Sequence, residues 1–113
     1  MRGRLSADLL RGHTDTIVLS ILLKGDSYGY EIYKTILEKT EGQYGLKEAT
    51  LYSSYRRLEK EGFITAYWGD ETQGARRKYY RITEKGKRQY KQNKLDWEFT
   101  QKVLNRLLEE EAE

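Results

Sequence analysis

The first forty residues place apolar side chains at the three- and four-residue spacing of amphipathic helices. One helix is predicted from about Ala7 to Lys24, where Gly25 and Asp26 end it. Its apolar positions are Leu9, Leu10, Ile17, Val18, Ile21 and Leu22. A second helix is predicted from about Tyr28 to Thr40, with Ser27 as its N-cap. The inward positions of this second helix are Tyr28, Ile32, Ile36 and Leu37.

A third helix is predicted from about Lys47 to Glu61, and its two faces differ in chemistry. At about 100° per residue, one side of this helix gathers Leu51, Tyr55 and Leu58, which need a core. The other side combines cations with side chains small enough for the helix to enter a groove: Ala49, Thr50, Ser53, Arg56, Arg57 and Lys60. This combination is typical of a DNA recognition helix.

After Gly62 the pattern changes from helical spacing to alternation, which predicts a half-buried strand. The strand alternates Ile64, Ala66 and Trp68 with Thr65 and Tyr67. Residues 69–74 are predicted to form a hairpin loop, and residues 76–82 the returning strand, with Tyr80 and Ile82 facing the core. Thr83 caps a last helix that runs to about Glu110. The order of elements predicts a mainly α chain with a small β-hairpin, a winged helix-turn-helix with a long C-terminal helix.

Composition narrows the class of protein. The chain has 113 residues and no cysteine. That length suits one domain with a modest core, and the absence of cysteine excludes disulfides and thiolate metal sites. The longest apolar run, residues 17–23, is interrupted by Ser20 and is too short to span a bilayer. We therefore expect a cytoplasmic protein that does not enter a membrane.

The net charge of +3 is concentrated in the third helix and the hairpin. Residues 44–81 carry eight basic side chains, which are Lys47, Arg56, Arg57, Lys60, Arg76, Arg77, Lys78 and Arg81. The same segment carries five acidic ones, which are Glu48, Glu59, Glu61, Asp70 and Glu71. A local basic excess usually marks only a solvated face. Here it coincides with a recognition helix and a wing, which favours a nucleic-acid partner.

Arg57, Lys60 and Arg56 are the leading candidates for contact inside a DNA groove. An arginine fork can bridge O6 and N7 of guanine, whereas lysine more often neutralises phosphate. Cations on the hairpin fit contact with phosphate or the minor groove. The predicted DNA-binding set is Lys47, Ala49, Thr50, Tyr52, Ser53, Arg56, Arg57, Lys60, Arg76, Arg77 and Lys78. The alternatives are a solvated helix with an Arg57–Glu61 salt bridge, and protection of an edge strand by charge.

Several motifs are similar to those of the PadR family of bacterial transcriptional regulators. They are Thr50-Leu51-Tyr52, Arg57-Leu58-Glu59, Glu61-Gly62-Phe63-Ile64, the run from Gly74 to Glu84 (GARRKYYRITE) and Gly86. The likeness covers about residues 7–108, and Ser53 departs from the proline that many members carry there. The resemblance implies a homodimer that binds an inverted-repeat operator in double-stranded DNA, with the last helix serving dimerisation. The single C-terminal helix resembles the short subfamily, which includes repressors of multidrug exporters.

The last helix carries two apolar stripes on roughly opposite sides. One consists of Leu95, Phe99, Val103 and Leu107, and the other of Tyr90, Trp97, Leu104 and Leu108. One stripe can pack on the chain's own domain, so the other needs a partner. The seven-residue repeat of Tyr90, Trp97 and Leu104 suits a self-associating seam. We therefore predict Tyr90, Trp97, Leu104, Leu107 and Leu108 as dimerisation residues.

Two polar residues, Asn93 and Thr100, lie between the members of the predicted seam. They would pack badly in a dry interface, which suggests an incompletely filled cavity between subunits. Trp97 there is either dimer core or a stacking platform for a planar aromatic or cationic effector. The predicted effector-binding set is Leu9, Thr16, Ser20, Gln89, Asn93, Asp96, Trp97 and Thr100.

Enzymatic chemistry finds little support in the sequence. The single histidine, His13, and the absence of cysteine exclude the usual metal and thiol sites, and no cofactor is expected. His13, Asp15 and Ser20 lie on one predicted helix and do not form a triad. We assign residues 1–83 to a winged helix-turn-helix DNA-binding domain and residues 84–113 to a dimerisation helix, together one compact unit. The leading hypothesis is a dimeric transcriptional repressor; the alternative is a winged-helix protein-interaction module without specific DNA binding.

Overall fold

The computed structural model describes Gly3, residues 5–70 and residues 76–110. Over these residues the chain forms five helices and three strands. In chain order they are α1 (Ala7–Arg11), α2 (Thr14–Leu23), β1 (Ser27–Tyr28), α3 (Gly29–Lys39), α4 (Glu48–Lys60), β2 (Ile64–Trp68), β3 (Lys78–Ile82) and α5 (Glu84–Leu107). The predicted winged helix-turn-helix with a long C-terminal helix is confirmed.

The three strands form one antiparallel sheet in the order β1-β3-β2. In the predicted hairpin, Ile64 pairs with Ile82 and Trp68 with Lys78. The returning strand begins at Lys78 rather than Arg76, although the Gly69 N–H still donates to the Arg77 carbonyl at 2.7 Å. Residues 71–74 of the predicted loop lie outside the described residues.

The first predicted helix is wrong in one respect, because the structure divides it into α1 and α2. Gly12 ends α1, and the buried Thr14 begins α2 by donating its hydroxyl to the Arg11 carbonyl at 3.1 Å. The Thr14 hydroxyl thus satisfies a carbonyl at the break.

Ser27 does not cap the second helix as predicted. It belongs to β1, where it pairs with Tyr80, and its hydroxyl donates to Glu31 Oε1 at 2.6 Å. The extended residue before the helix is Tyr28. A two-residue strand carries too little alternation to be recognised in a sequence, so β1 was not predicted.

Residues from α2, α3, α4, β2 and β3 and from the segment between α3 and α4 meet in the core. The core comprises Val18, Leu19, Leu22, Ile32, Ile36, Tyr44, Leu46, Leu51, Tyr55, Leu58, Ile64, Tyr80 and Ile82. The inward side of the third predicted helix and the inward pair of the returning strand are therefore confirmed. Trp68 is the exception among the β2 residues predicted to face the core. It is 58% exposed, because the end of β2 extends beyond the core.

Three features fix the start of α5 and its position on the domain. The Thr83 hydroxyl accepts a hydrogen bond from the Gly86 N–H at 3.0 Å, which confirms the predicted cap. Gly86 then sits so close to β2 that an added Cβ would come within 2.1 Å of the Phe63 carbonyl oxygen. Farther along, Asn93 Nδ2 donates to Thr16 Oγ1 on α2 at 2.9 Å. The helix ends at Leu107, three residues before the predicted end.

In the C-terminal half of α5, Trp97 still contacts His13 before the helix extends beyond the domain, and the molecule measures 67 × 30 × 22 Å. Most side chains of this half are exposed, among them Leu95, Phe99 and Leu107. None of the helices in the described part of the chain is long and apolar enough to cross a membrane.

Candidate nucleic-acid interface

The outward side of α4 gathers most of the DNA-binding residues predicted from the sequence. We call this surface the recognition face; it comprises Lys47, Ala49, Thr50, Tyr52, Ser53, Arg56 and Lys60. Lys47, Ala49, Arg56 and Lys60 are exposed, while Thr50 and Ser53 are half-buried. Arg56 and Lys60 form no ion pair with any residue in the described ranges. With Lys47, the face therefore presents three cations that have no ion-pair partner among the described residues.

Arg57 points elsewhere. Its Nη2 donates to Asp15 Oδ1 at 2.6 Å and its Nε to Asp15 Oδ2 at 3.1 Å, a two-point contact with α2. This hydrogen bonding raises the pKa of the Arg57 guanidinium. The partner of Arg57 is thus Asp15 and not Glu61, the partner considered from helical spacing.

The wing carries its cations next to aromatic rings. The guanidinium of Arg76 lies 5.7 Å from the ring centre of Trp68, and that of Arg77 lies 4.7 Å from the ring centre of Tyr28. Lys78 Nζ lies 3.6 Å from Glu59 Oε1, which joins β3 to α4. Because of this contact, the wing stands beside the recognition face.

A polar cluster around Asp26 holds both strands of the wing. Tyr67 donates its hydroxyl to Asp26 Oδ2 at 2.5 Å, and Arg81 Nη2 lies 2.8 Å from the same oxygen. The hydrogen bond from Arg81 lowers the pKa of the Asp26 carboxyl. The segment between α2 and α3 therefore holds the wing in two ways. Asp26 binds Tyr67 and Arg81, and β1 pairs with β3 through backbone hydrogen bonds.

A cavity of about 630 Å³ lies between α2, α4 and α5. Six of the eight predicted effector-binding residues line it: Thr16, Gln89, Asn93, Asp96, Trp97 and Thr100. Leu9 and Ser20 do not. Leu9 is exposed on α1, and the Ser20 hydroxyl turns back to the Ile17 carbonyl at 2.6 Å. The cavity also includes residues that were not predicted, among them His13, Asp15 and Arg57.

The prediction that the Tyr90, Trp97 and Leu104 stripe lacks a partner within the chain is wrong for Tyr90 and Trp97. Tyr90 packs against the core, and the Trp97 ring meets His13 edge-on with ring centres 4.7 Å apart. The opposite stripe is more exposed, with Leu95, Phe99 and Leu107 exposed and Val103 half-buried. We call it the outer stripe; it comprises Leu95, Phe99, Val103 and Leu107. Of the other predicted dimerisation residues, Leu104 and Leu108 are exposed as well.

Comparison with known proteins agrees with this geometry. The model of the transcriptional regulator PadR-like family matches residues 18–92, more than half of the chain. The chain belongs to the PadR family. An uncharacterized protein of Lysinibacillus sphaericus is 42% identical to it over 91% of this chain and 94% of its own length.

Solved structures align with this PadR protein along most of its length. A transcriptional regulator from Clostridium thermocellum is 53% identical, with a TM-score of 0.85, and the match covers 93% of this chain and 99% of that one. A PadR family transcription regulator from Clostridium difficile is 40% identical, with a TM-score of 0.75, over 87% and 100% of the two chains. The protein is therefore a DNA-binding transcriptional regulator by family.

Asp15 is the residue of this PadR protein whose importance the sequence reading missed. It is the one charged residue of α2, in a helix that otherwise reads as apolar or hydroxylated. A lone charge in such a helix needs a partner when the helix packs. That signal was present, but its partner Arg57 is 42 residues away and could not be named.

Proposed function

We propose that this PadR protein is a homodimeric repressor that occupies an inverted-repeat operator and leaves it when a small molecule binds. The observation that supports DNA binding is the position of the recognition face next to the wing. Arg56 and Lys60 project from α4 among small side chains, and the Lys78–Glu59 contact joins β3 of the wing to the same helix. A helix of this kind enters the major groove while a wing follows the backbone.

Within this proposal Arg56 reads a base. It is exposed and unpaired among the described residues, whereas Arg57 is occupied by Asp15. Arg56→Ala is expected to weaken operator binding by about 1–3 kcal/mol and to weaken binding to random duplexes less. The measurement is a fluorescence anisotropy titration against an operator selected in vitro and against a scrambled duplex.

The matched control is Arg11→Ala, which removes the same charge from the exposed last turn of α1, outside the recognition face and the outer stripe. It should leave both affinities close to those of the unchanged protein. Equal losses on the two duplexes would make Arg56 a phosphate contact, and no loss would remove the recognition face from the interface.

Dimerisation is assigned to the outer stripe of α5, together with Leu104 and Leu108. Exposed leucine and phenylalanine side chains on a projecting helix favour burial against a second copy. Residues 84–113 then serve as the dimerisation segment and residues 1–83 as the DNA-binding domain. A twofold dimer presents two recognition faces, which is why the operator is expected to be an inverted repeat.

The effector part rests on the cavity beside Trp97. The indole is 39% exposed there, and the carboxylates of Asp15 and Asp96 lie on the cavity walls. An aromatic face with nearby carboxylates favours planar hydrophobic cations. Bound ligand lowers operator affinity only if it prefers the conformation that cannot bind DNA.

Trp97→Ala is expected to reduce the affinity for a planar cationic dye such as rhodamine 6G by about tenfold, because stacking and cation–π contacts are lost. Dye fluorescence anisotropy measures this affinity in both proteins. Trp68→Ala, on the wing, is the control and should bind the dye as before. Unchanged affinity in a Trp97→Ala dimer would exclude this cavity as the dye site.

A further inference from the structure

Asp15 connects the cavity to the recognition helix. Its Oδ1 accepts from the Ser54 hydroxyl at 2.6 Å and from Arg57 Nη2 at 2.6 Å, while Oδ2 accepts from Arg57 Nε at 3.1 Å. Ser54 is fully buried, and Ser54 and Arg57 lie one turn apart on α4. One carboxylate of α2 therefore holds α4 at two points.

The same carboxylate belongs to the cavity wall. Asp15, Arg57 and Trp97 all line the cavity. The Asp15 side chain keeps 34% of its surface accessible, so a ligand can reach it. Asp96, the other carboxylate of the wall, receives a hydrogen bond from Gln92 at 2.9 Å and forms no ion pair with a described residue. Of the two carboxylates, Asp15 alone is tied to α4.

We infer that Asp15 is a positioning residue through which occupancy of the cavity reaches the recognition helix. A cationic ligand stacked on Trp97 competes with Arg57 for the Asp15 carboxylate. When the ligand takes that place, α4 loses one of its two attachments to α2 and its tilt is no longer fixed. Operator affinity falls as a result, and by linkage operator DNA lowers ligand affinity by the same factor.

This inference rests on the proposed effector site, and it makes a specific prediction about ligand affinity in variants of Arg57 and Asp15. If Arg57 competes with the ligand, removing Arg57 must tighten ligand binding. Arg57→Gln is therefore expected to bind rhodamine 6G roughly two- to tenfold more tightly than the unchanged protein. The ligand then no longer has to displace the Arg57 guanidinium from Asp15, an exposed ion pair that contributes little stability. Asp15→Asn is expected to bind the dye about tenfold more weakly, because the ligand loses its counter-charge.

Matched controls separate competition from a general change of charge. Arg11→Gln removes a positive charge at the rim of the same cavity, but Arg11 pairs with Asp8 at 2.9 Å and not with Asp15. Dye affinity in this variant should stay near that of the unchanged protein. Asp96→Asn removes a carboxylate from the same wall without touching α4.

The second readout is the ratio of operator affinities without dye and at saturating dye. In the unchanged protein this ratio is expected to lie on the order of 5 to 150. In Arg57→Gln it should fall close to one although the dye is bound, and in Asp96→Asn it should persist. The ratio would not respond in this way if Arg57 only stabilised the fold.

The outcomes are distinguishable. No dye binding by the unchanged protein would refute the effector site and this inference with it. Dye binding with operator release in the unchanged protein, but dye affinity in Arg57→Gln that is equal or weaker, would overturn the role of Asp15 and leave the effector site standing. Full operator release in dye-saturated Arg57→Gln would overturn it as well.

Discussion

Replacing Phe99 by glutamate is expected to convert the proposed dimer into a monomer. Phe99 is 68% exposed in the single chain and lies in the middle of the outer stripe, between Leu95 and Val103. In a twofold interface each substitution occurs twice, and each would bury an unpaired carboxylate at a cost of about 1–3 kcal/mol or more. The dimer dissociation constant should rise by roughly three orders of magnitude.

Sedimentation velocity at micromolar concentration measures the oligomeric state. Operator affinity should also fall, because a monomer can bind only one half-site of the operator. Gln101→Glu adds the same charge at an exposed position outside the outer stripe and should remain dimeric. If Phe99→Glu is still a dimer, the outer stripe is not the interface. Dimerisation would then have to use another surface of the chain.

Gly86→Ala is expected to destabilise the protein by about 2–4 kcal/mol. Helix propensity alone predicts the opposite, since alanine is favoured over glycine inside a helix by about 1 kcal/mol. Packing should prevail, because the new Cβ would lie 2.1 Å from the Phe63 carbonyl oxygen and 2.8 Å from Ile82 Cγ1. Relief requires α5 to move away from β2 and β3.

Thermal unfolding followed by circular dichroism measures the effect. Gly12→Ala is the control, because Gly12 has a right-handed helical backbone conformation and no heavy atom within 4 Å of its added Cβ. Its unfolding temperature should stay near that of the unchanged protein. An unchanged or raised unfolding temperature in Gly86→Ala would show that α5 does not pack against the wing as described.

Local patterns were sufficient for most of the fold. The third helix, the two wing strands and the Thr83 cap follow from spacing and capping within a few residues of chain, and all are found. The break at Gly12 was missed because a glycine costs a helix only about 1 kcal/mol and does not by itself end it.

The orientation of α5 could not be derived from the sequence. Its two apolar stripes are nearly equivalent, so periodicity cannot say which one the domain covers. Long-range contacts decide the matter: Asn93 bonds to Thr16, and Gly86 admits the close approach to Phe63. The same limit applies to Arg57, whose neighbours along α4 give no indication of Asp15.

Helical phase was sufficient to place side chains that lie on one element, but not those that pair between elements. Arg56 and Lys60 are placed by helical phase alone, and the structure leaves them exposed on the recognition face. The cavity instead combines α2, α4 and α5, which are distant in sequence. Sequence reading recovered its α5 wall and missed the carboxylate on α2.

The most direct test of the central claim is selection of duplex DNA from a random pool by the purified protein, followed by titration of the enriched sequence at several salt concentrations. We predict an inverted repeat whose half-site centres are about one helical turn apart, or a multiple of that, with affinity falling linearly in logarithmic terms as salt rises. Failure to enrich any sequence, with DNA binding absent or insensitive to salt, would contradict the account and favour a winged-helix module that binds protein.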